Sequence, residues 1–481
     1  MKMMRRMMLM MVVVMVREVW MEKDIPSVYG NVMDVKTVRG DYDVALKEAV
    51  RSRTPLLLKG FARHRLKWDA FEKWQDTSYM SQKLSVFEDV VDGKYNMNWD
   101  PDRDFCKDER TREKIPSCVG RGRFQIPAIN MSVSRFFSDI YSNRPLMYMA
   151  PLSDEFTSAG LNDDLRDWKS IAISETEEED SRCFLWIGGG GIISHTHYDM
   201  SHNMYVQISG RKRFLLSSPE DFSKMYLHPR GHPGNFKSQV NWEDEIPGSK
   251  RFPKWKDVDA HVAILERYDV LYLPPFWFHH VTSLGQLSVS ANVWTLSNEI
   301  ETYEYLLTLG FPDNFGDASK LSWMSSTSSL SCADTFSTQK TAALISFVRS
   351  LVSKMLEHYD DERSWESTIR NHLVTQRYEP LRNQLNCNAC SVEYCPREED
   401  IRSYDSIVDT YTDRVVSVLL EGTESHSSCG CKCGHAKGKC ELMTMNYLEE
   451  VVSFFLGGPS NLCDFFSTCV LGSYVTDRME L

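Results

Sequence analysis

Residues 185–218 read LWIGGGGIISHTHYDMSHNMYVQISGRKRFLLSS. Side chains two apart on an extended strand point to the same face. His197 and Asp199 therefore address one point in space from one strand. Joined by a distant histidine, such a pair makes the 2-His-1-carboxylate arrangement of non-haem Fe(II) sites. The segment DVLYLPPFWFHHVTSL, residues 269–284, offers that histidine at His279 or His280. Within the first segment His195 also lies two residues before His197, so His195-Thr-His197 is a competing metal pair at this level of reading.

Outward from this stretch the pattern is that of a β-rich barrel. Met204, Val206 and Ile208 share one strand face, Gly210-Arg211 marks a turn, and Lys212 then shares a face with Phe214 and Leu216 while Arg213 lies opposite. A lysine on an apolar face needs an anionic partner, because an unpaired buried ammonium is costly; the alternative is a snorkelling side chain at a strand edge. Residues 286–295 alternate, with Leu287, Val289, Ala291 and Val293 on one face and Ser288, Ser290, Asn292 and Trp294 on the other. Val270 to Leu273 read as a buried strand and residues 251–268 as loop. Upstream, residues 42–60 read as an amphipathic helix on the phase Val44, Leu46, Ala49, Val50, ended by Pro55, and then a buried strand at Leu56 to Leu58 ended by Gly60. Phe136 and Phe137 begin a helical piece, and residues 145–149 are a short strand carrying Tyr148. Residues 174–181, SETEEEDS, read as a solvated loop. Gly188 to Gly191 lack a following Gly-Lys-Ser/Thr and are a turn, not a phosphate cradle. Many short strands separated by turn signals indicate a jelly-roll barrel.

His197-Tyr-Asp199, a lysine fifteen residues after the histidine, and Pro274-Pro-x-Trp-x-His279-His-Val in that order resemble the Jumonji-C, cupin-like Fe(II)/2-oxoglutarate dioxygenases. The nearest flavour is the hydroxylase group that includes the asparaginyl hydroxylase of hypoxia-inducible factor, over about residues 40–300. The resemblance implies a double-stranded β-helix with helical N-terminal support. It assigns His197, Asp199 and His279 as iron ligands and as the catalytic set, leaving His195 and His280 outside. It implies 2-oxoglutarate as cosubstrate with dioxygen, the distal carboxylate meeting Lys212, with Tyr148, Ser194 (where threonine is frequent), Asn203 and Asn292 completing the pocket. For both asparagines the alternative is an ordinary strand-end residue. Tyr268, where glycine is common before Asp269, and Phe278, where tryptophan is frequent, are departures expected to reshape the substrate mouth.

The chain has 481 residues and a net charge of −12, which argues against broad binding to nucleic-acid phosphates. Residues 1–25 hold basic residues and an apolar run at 7–16: either a signal-like segment without a small-residue cleavage site, or a mis-chosen start before Met21. The run is too short to span a bilayer. A cytoplasmic or nuclear location is expected, with the secretory pathway as the alternative if the segment is a signal. The catalytic domain is expected over 26–300, a Ser-rich linker over 301–338, and a helical region over 339–481. In the last, helices are expected at 339–357, at 404–421 stopped by Gly422, and at 443–456 stopped by Gly457-Gly458. Isolated helices of that length are marginal in water, so their apolar faces need cover, from a second copy in a homodimer or from the same chain. Nine of the thirteen cysteines follow residue 380, seven of them in Cys387-x2-Cys390-x4-Cys395 and Cys429-x-Cys431-x-Cys433-x-His435-x4-Cys440. Structural zinc, disulfides and ordinary thiols all stay open. The leading functional expectation is hydroxylation of a protein side chain. Histone lysine demethylation ranks below it, because the carboxylate ligand is Asp and no chromatin-reader module is seen. RNA modification and a non-catalytic cupin-type scaffold are further alternatives.

Overall fold

The computed structural model describes residues 31–84, 89–91, 128–130, 132–142, 148–150, 159–173, 175, 181–230, 232, 234–240, 250–309, 339–385, 387, 394–424 and 435–472. Six short strands flank the barrel: β1 (Val32–Asp34), β2 (Thr37–Val38), β3 (Leu56–Leu58), β4 (Asp89–Val91), β5 (Ala128–Asn130) and β6 (Tyr148–Met149). The barrel itself is β7 (Ser181–Gly189), β8 (Ile193–His197), β9 (His202–Ser217), β10 (Ala260–Leu265), β11 (Val270–Leu273) and β12 (Phe278–Thr295). β9 and β12 are long, bent and antiparallel to each other along both halves. The first half of β9 and the second half of β12 lie between β11 and β7. Their other halves lie between β10 and β8. Two sheets sharing two bent strands are the jelly-roll expected from the alternation of residues 286–295.

The register places four turns at one end of the barrel, around Gly190, Gly210, 266–269 and Gly285, and the connections 198–201 and 274–277 at the other. At the first end two turns touch backbone to backbone: a Cβ on Gly190 would sit 1.6 Å from the Gly285 carbonyl oxygen. Only glycine allows that approach, so the glycine run closes the barrel floor. The other end is open and carries the metal-ligand candidates.

Three local expectations are corrected. In helix α1 (Tyr42–Ser52) the buried face is set by Tyr42 and Ala49, seven apart, and Val44 is 76% exposed; the aromatic ring takes the core face and turns Val44 outward. Residues 260–265, expected as loop, are β10, which pairs β9 on one side and β1 on the other. Glu175, expected in a solvated loop, reaches inward to Arg53 and His202; residues 174 and 176–180 lie outside the described residues. The helix begun by Phe136 and Phe137 is α2 (Val133–Tyr141), N-capped by Ser132.

The barrel is followed by α3 (Asn298–Thr308), α4 (Gln339–His358), α5 (Asp405–Glu424), α6 (Ala436–Leu456) and α7 (Pro459–Asp464). α5 does not stop at Gly422. A Cβ there would lie 2.1 Å from the Thr302 side chain, so this glycine serves the close crossing of α5 over α3. α6 starts seven residues before its expected beginning and ends at Gly457, whose φ of 93° L-residues avoid. The apolar faces of these helices are covered within the chain: Phe347, Val348, Leu448 and Val452 form one core with Tyr198, Leu215, Phe276 and Phe278 of the barrel. That is the second of the two kinds of cover expected for these faces, with Leu307, Ile407 and Phe454 still exposed.

The cysteine question is settled for two of the positions raised. Cys387 is bonded to Cys463 and Cys395 to Cys469, which ties the segment after residue 385 to α7 and the turn beyond it. Neither Cys387 nor Cys395 is therefore available to zinc. Cys390, Cys429, Cys431 and Cys433 lie outside the described residues. His435 bonds the Ser218 hydroxyl through Nδ1 at 2.8 Å and packs edge-on against Trp277.

Because barrel and helices share a core, deleting everything after residue 330 uncovers Leu215, Phe276 and Phe278, which are fully buried. We expect that truncation to be insoluble or aggregated, as read by soluble yield and size-exclusion chromatography. A soluble truncation with the activity of the full chain would contradict this account of the core.

Candidate active site

β8 ends on His197 at the open end, and the β8–β9 connection carries Asp199 two residues on. His279 opens β12 directly opposite His197 in the register. The imidazoles of His197 and His279 have centroids 4.1 Å apart, and His279 Nε2 lies 3.5 Å from Asp199 Oδ2. One ligand atom from each of the three residues falls within 4.8 Å of the others. Among the described residues this is the one such group of three.

Each histidine is oriented from behind. His197 Nδ1 meets the carbonyl of His195 at 2.6 Å, and His279 Nδ1 meets that of Trp277 at 3.0 Å. A carbonyl only accepts, so both Nδ1 atoms carry the proton and both Nε2 atoms present a lone pair. Burial, then the neighbouring His279, holds His197 well below the ordinary histidine range. Burial raises the Asp199 carboxyl, against the pull of His279. Two imidazoles held from behind at Nδ1 and a desolvated carboxylate suit a divalent cation, whose charge would reverse the penalty on Asp199. The donor set therefore fits Fe(II). His195 and His280 stand apart from the trio. His195 donates from Nε2 to the Ser238 carbonyl at 3.0 Å, and His280 Nδ1 lies 3.3 Å from the Thr196 hydroxyl.

Deeper in the barrel a cavity is lined by Tyr148, Trp186, Ser194, Lys212, Val281 and Ser283. Lys212 is buried, and its ammonium donates to the Tyr205 hydroxyl at 2.5 Å and the Ser290 hydroxyl at 2.9 Å. Its partners are hydroxyls, not a carboxylate, and burial pulls its pKa down to about 7. An anion entering the cavity would restore the charge. Asn292 accepts from the Trp186 indole at 2.8 Å. Asn203 is buried, and its Oδ1 has no hydrogen-bond partner among the described residues.

The structure thus gathers His197, Asp199 and His279 at the open end, and Lys212, Tyr148 and Ser194 around the cavity below. Asn292 belongs to the cavity wall through Trp186. Two expectations about the mouth fail. Tyr268 sits on the β10–β11 turn at the closed end, its ring between the guanidiniums of Arg63 and Arg267 at 4.5 and 4.7 Å. Phe278 is fully buried under the helices, edge-on to Tyr198. Arg213 does face away from Lys212, but it is buried and bonds the Thr282 hydroxyl at 3.3 Å, so it is no bystander.

Sequence reasoning missed Tyr205 and Ser290. Both were within reach: Tyr205 shares the Asn203 face of β9, and Ser290 shares the Asn292 face of β12. It also missed Lys237, whose backbone pairs antiparallel with His197 from a segment with no strand signal.

The profile of the cupin-like domain matches residues 43–296. The chain belongs to the cupin-like domain family. Among its relatives, Jumonji C domain-containing protein 5 of Drosophila melanogaster is 26% identical over 248 residues, 50% of this chain and 54% of that protein. Lysine-specific demethylase 8 of Danio rerio is 34% identical over 134 residues, 28% of this chain and 32% of the relative. The tRNA wybutosine-synthesizing protein 5 of Gallus gallus is 34% identical over 127 residues, 26% and 37% of the two chains. The cupin-like chain thus spans between about a quarter and a half of the length of these curated relatives. Among its described residues no helix is long and apolar enough to cross a membrane.

Proposed function

We propose that this cupin-like protein is an Fe(II)/2-oxoglutarate-dependent oxygenase that hydroxylates a protein side chain, in the manner of the asparaginyl hydroxylase group. The observation that carries the reading is one barrel holding a His-Asp-His group at its mouth and, below it, a buried ammonium that meets only hydroxyls. When bound, iron with 2-oxoglutarate and dioxygen supplies the oxidising power: one oxygen atom goes into a substrate C–H bond, the other into succinate, and carbon dioxide leaves.

The chain's own residues do the positioning. His197, Asp199 and His279 would hold the metal, each offering one ligand atom. The carbonyls of His195 and Trp277 keep both imidazoles in the coordinating tautomer. Lys212, with the Tyr205 and Ser290 hydroxyls, fixes the distal carboxylate, and Tyr148, Trp186 and Val281 wall the cavity against water. Demethylation of a lysine, suggested by one relative's name, would use the same pocket. The two disulfides favour an oxidising compartment over nucleus or cytoplasm, and so favour a secretory protein substrate over chromatin.

The test is succinate release with Fe(II) and ascorbate across a 2-oxoglutarate titration. A single ammonium facing a carboxylate in a poorly hydrated pocket forms a charge-assisted bond, and truncating one partner costs on the order of 2–5 kcal/mol. Lys212→Ala should raise the 2-oxoglutarate requirement by more than about tenfold, since each 1.4 kcal/mol is a decade. Metal binding should hardly change. Lys212→Arg should be intermediate, because the charge stays on a wider, planar head. Arg211→Ala, at the partly exposed turn, is the control in place of buried Arg213. Equal 2-oxoglutarate dependence in wild type and Lys212→Ala would sink the cosubstrate assignment and leave a bare cupin scaffold.

A further inference from the structure

Tyr198 stands between two metal-ligand candidates, just past the end of β8, and its ring lies in the core that barrel and helices share. Its ring is buried against Phe236, Phe276 and Phe278, with centroids 5.2, 5.6 and 5.4 Å away. The backbone on either side is tied to the same aromatics: the Tyr198 amide donates to the Phe236 carbonyl at 3.4 Å, and the Phe276 amide to the Asp199 carbonyl at 2.7 Å. At the far end of the ring, the Tyr198 hydroxyl accepts from Asn446 Nδ2 at 2.7 Å. Asn446 belongs to α6, 248 residues along the chain.

The orientation of the Asn446 amide is fixed chemically. Both terminal nitrogens of Arg377 meet its Oδ1 at 3.1 Å, and guanidinium nitrogens only donate, so Nδ2 is left for Tyr198. Arg377 is itself paired with Glu449 on the next turn of α6, and the Tyr378 hydroxyl donates to the same carboxylate. Arg377 and Glu449 are almost wholly buried. A buried ion pair is weak evidence for net stability, since an apolar pair of the same shape is often as good. What it does provide is one fixed geometry, and here that geometry ends on the residue between His197 and Asp199.

We propose that Asn446 is a positioning residue for the metal centre: through Tyr198 it sets the spacing of His197 and Asp199, so that the helical unit forms part of the metal site. This rests on the reading of His197, Asp199 and His279 as ligands. Groups behind a metal's ligands, when removed, cost about 10–100-fold in affinity.

The test is Co(II) binding to the metal-free full chain, followed by chelator competition and by the visible ligand-field absorption, with thermal unfolding of each metal-free protein alongside. Tyr198→Phe and Asn446→Leu should each weaken Co(II) by about tenfold or more and shift the absorption bands. The double variant should be no weaker than the worse single, because the two side chains act as one link. Tyr411→Phe is the comparison, since it removes the 2.7 Å Tyr411–Tyr447 hydroxyl bond in the same helical unit without touching the metal strand. It should lower thermal stability comparably and leave Co(II) binding and spectrum as in wild type. Wild-type affinity and spectrum in Tyr198→Phe would overturn the proposal even if Asn446→Leu failed to fold. Equal weakening by Tyr411→Phe would overturn it too, by showing only a global effect. His197→Ala separates the two levels: if it binds Co(II) as wild type does, the ligand assignment falls and this inference with it.

Discussion

Alanine at His197, Asp199 or His279 is expected to reduce Fe(II)-dependent succinate release to background, with the metal-free protein still folded. The three supply all the ligand atoms gathered at the open end, and a site left with two ligands cannot hold the metal on one side. His195→Ala is the discriminating control. In the sequence His195-Thr-His197 is a competing metal pair that only the family resemblance sets aside. In the fold His195 spends Nε2 on the Ser238 carbonyl and contributes its own carbonyl to orient His197. The backbone survives the substitution, so substantial activity should remain, though the emptied buried space will lower the unfolding temperature. An inactive His195→Ala beside an active His279→Ala, both folded by circular dichroism, would reverse the ligand assignment.

The site was legible where chemistry and periodicity coincide. Lys212 sits in phase with Phe214 and Leu216 and residues 286–295 alternate, so the face followed from spacing; His197 and Asp199 come together as expected, although β8 ends at His197 and Asp199 lies in the connection that follows. The strand β10 was not legible, because Ala260–Leu265 has no clean alternation and is held by neighbours distant in sequence, β1 and β9. Position relative to the barrel ends was equally hidden. Tyr268 and Phe278 differ from the common residues, yet local sequence does not reveal that one lies at the closed floor and the other under α6. Gly422 shows the same limit from another side. A glycine near a helix end reads as a stop signal, but here its lack of a side chain serves a crossing with α3 that only the tertiary fold creates.

The charged side chains that were least legible lead to the second large effect. Arg53, at the end of α1, is completely buried, and its guanidinium bonds both Glu175 and Glu299. Glu299 opens α3 and also receives Lys439 from α6 at 2.8 Å. His202, three residues after Asp199, bridges Glu175 and the Tyr272 hydroxyl. Two cations and two carboxylates therefore meet across barrel and helices, with His202 completing the bonds. Glu299→Gln keeps the shape and removes one charge, leaving two buried cations to share Glu175. Breaking a buried pair in this way costs about 3–5 kcal/mol, which in a core of this size lowers the unfolding temperature by on the order of 10 °C. Lys439→Met combined with Glu299→Gln should cost less than the sum of the two, because each removes the other's unpaired partner; strict additivity would show that the two charges do not act on each other. The pH dependence has a definite sign. Burial alone would raise the Glu175 carboxyl, but the bonds from His202 and Arg53 outweigh it and hold the pKa at about 2. A depressed carboxylate contributes stability that is fully present above its unfolded value near 4.3 and is lost as pH falls toward 2. Thermal unfolding measured between about pH 5 and 2 should therefore fall steeply for the wild type and less steeply for Glu175→Gln. Parallel acid profiles for the two proteins would remove Glu175 from the acid-sensitive set and the network from the account of what joins the helices to the barrel.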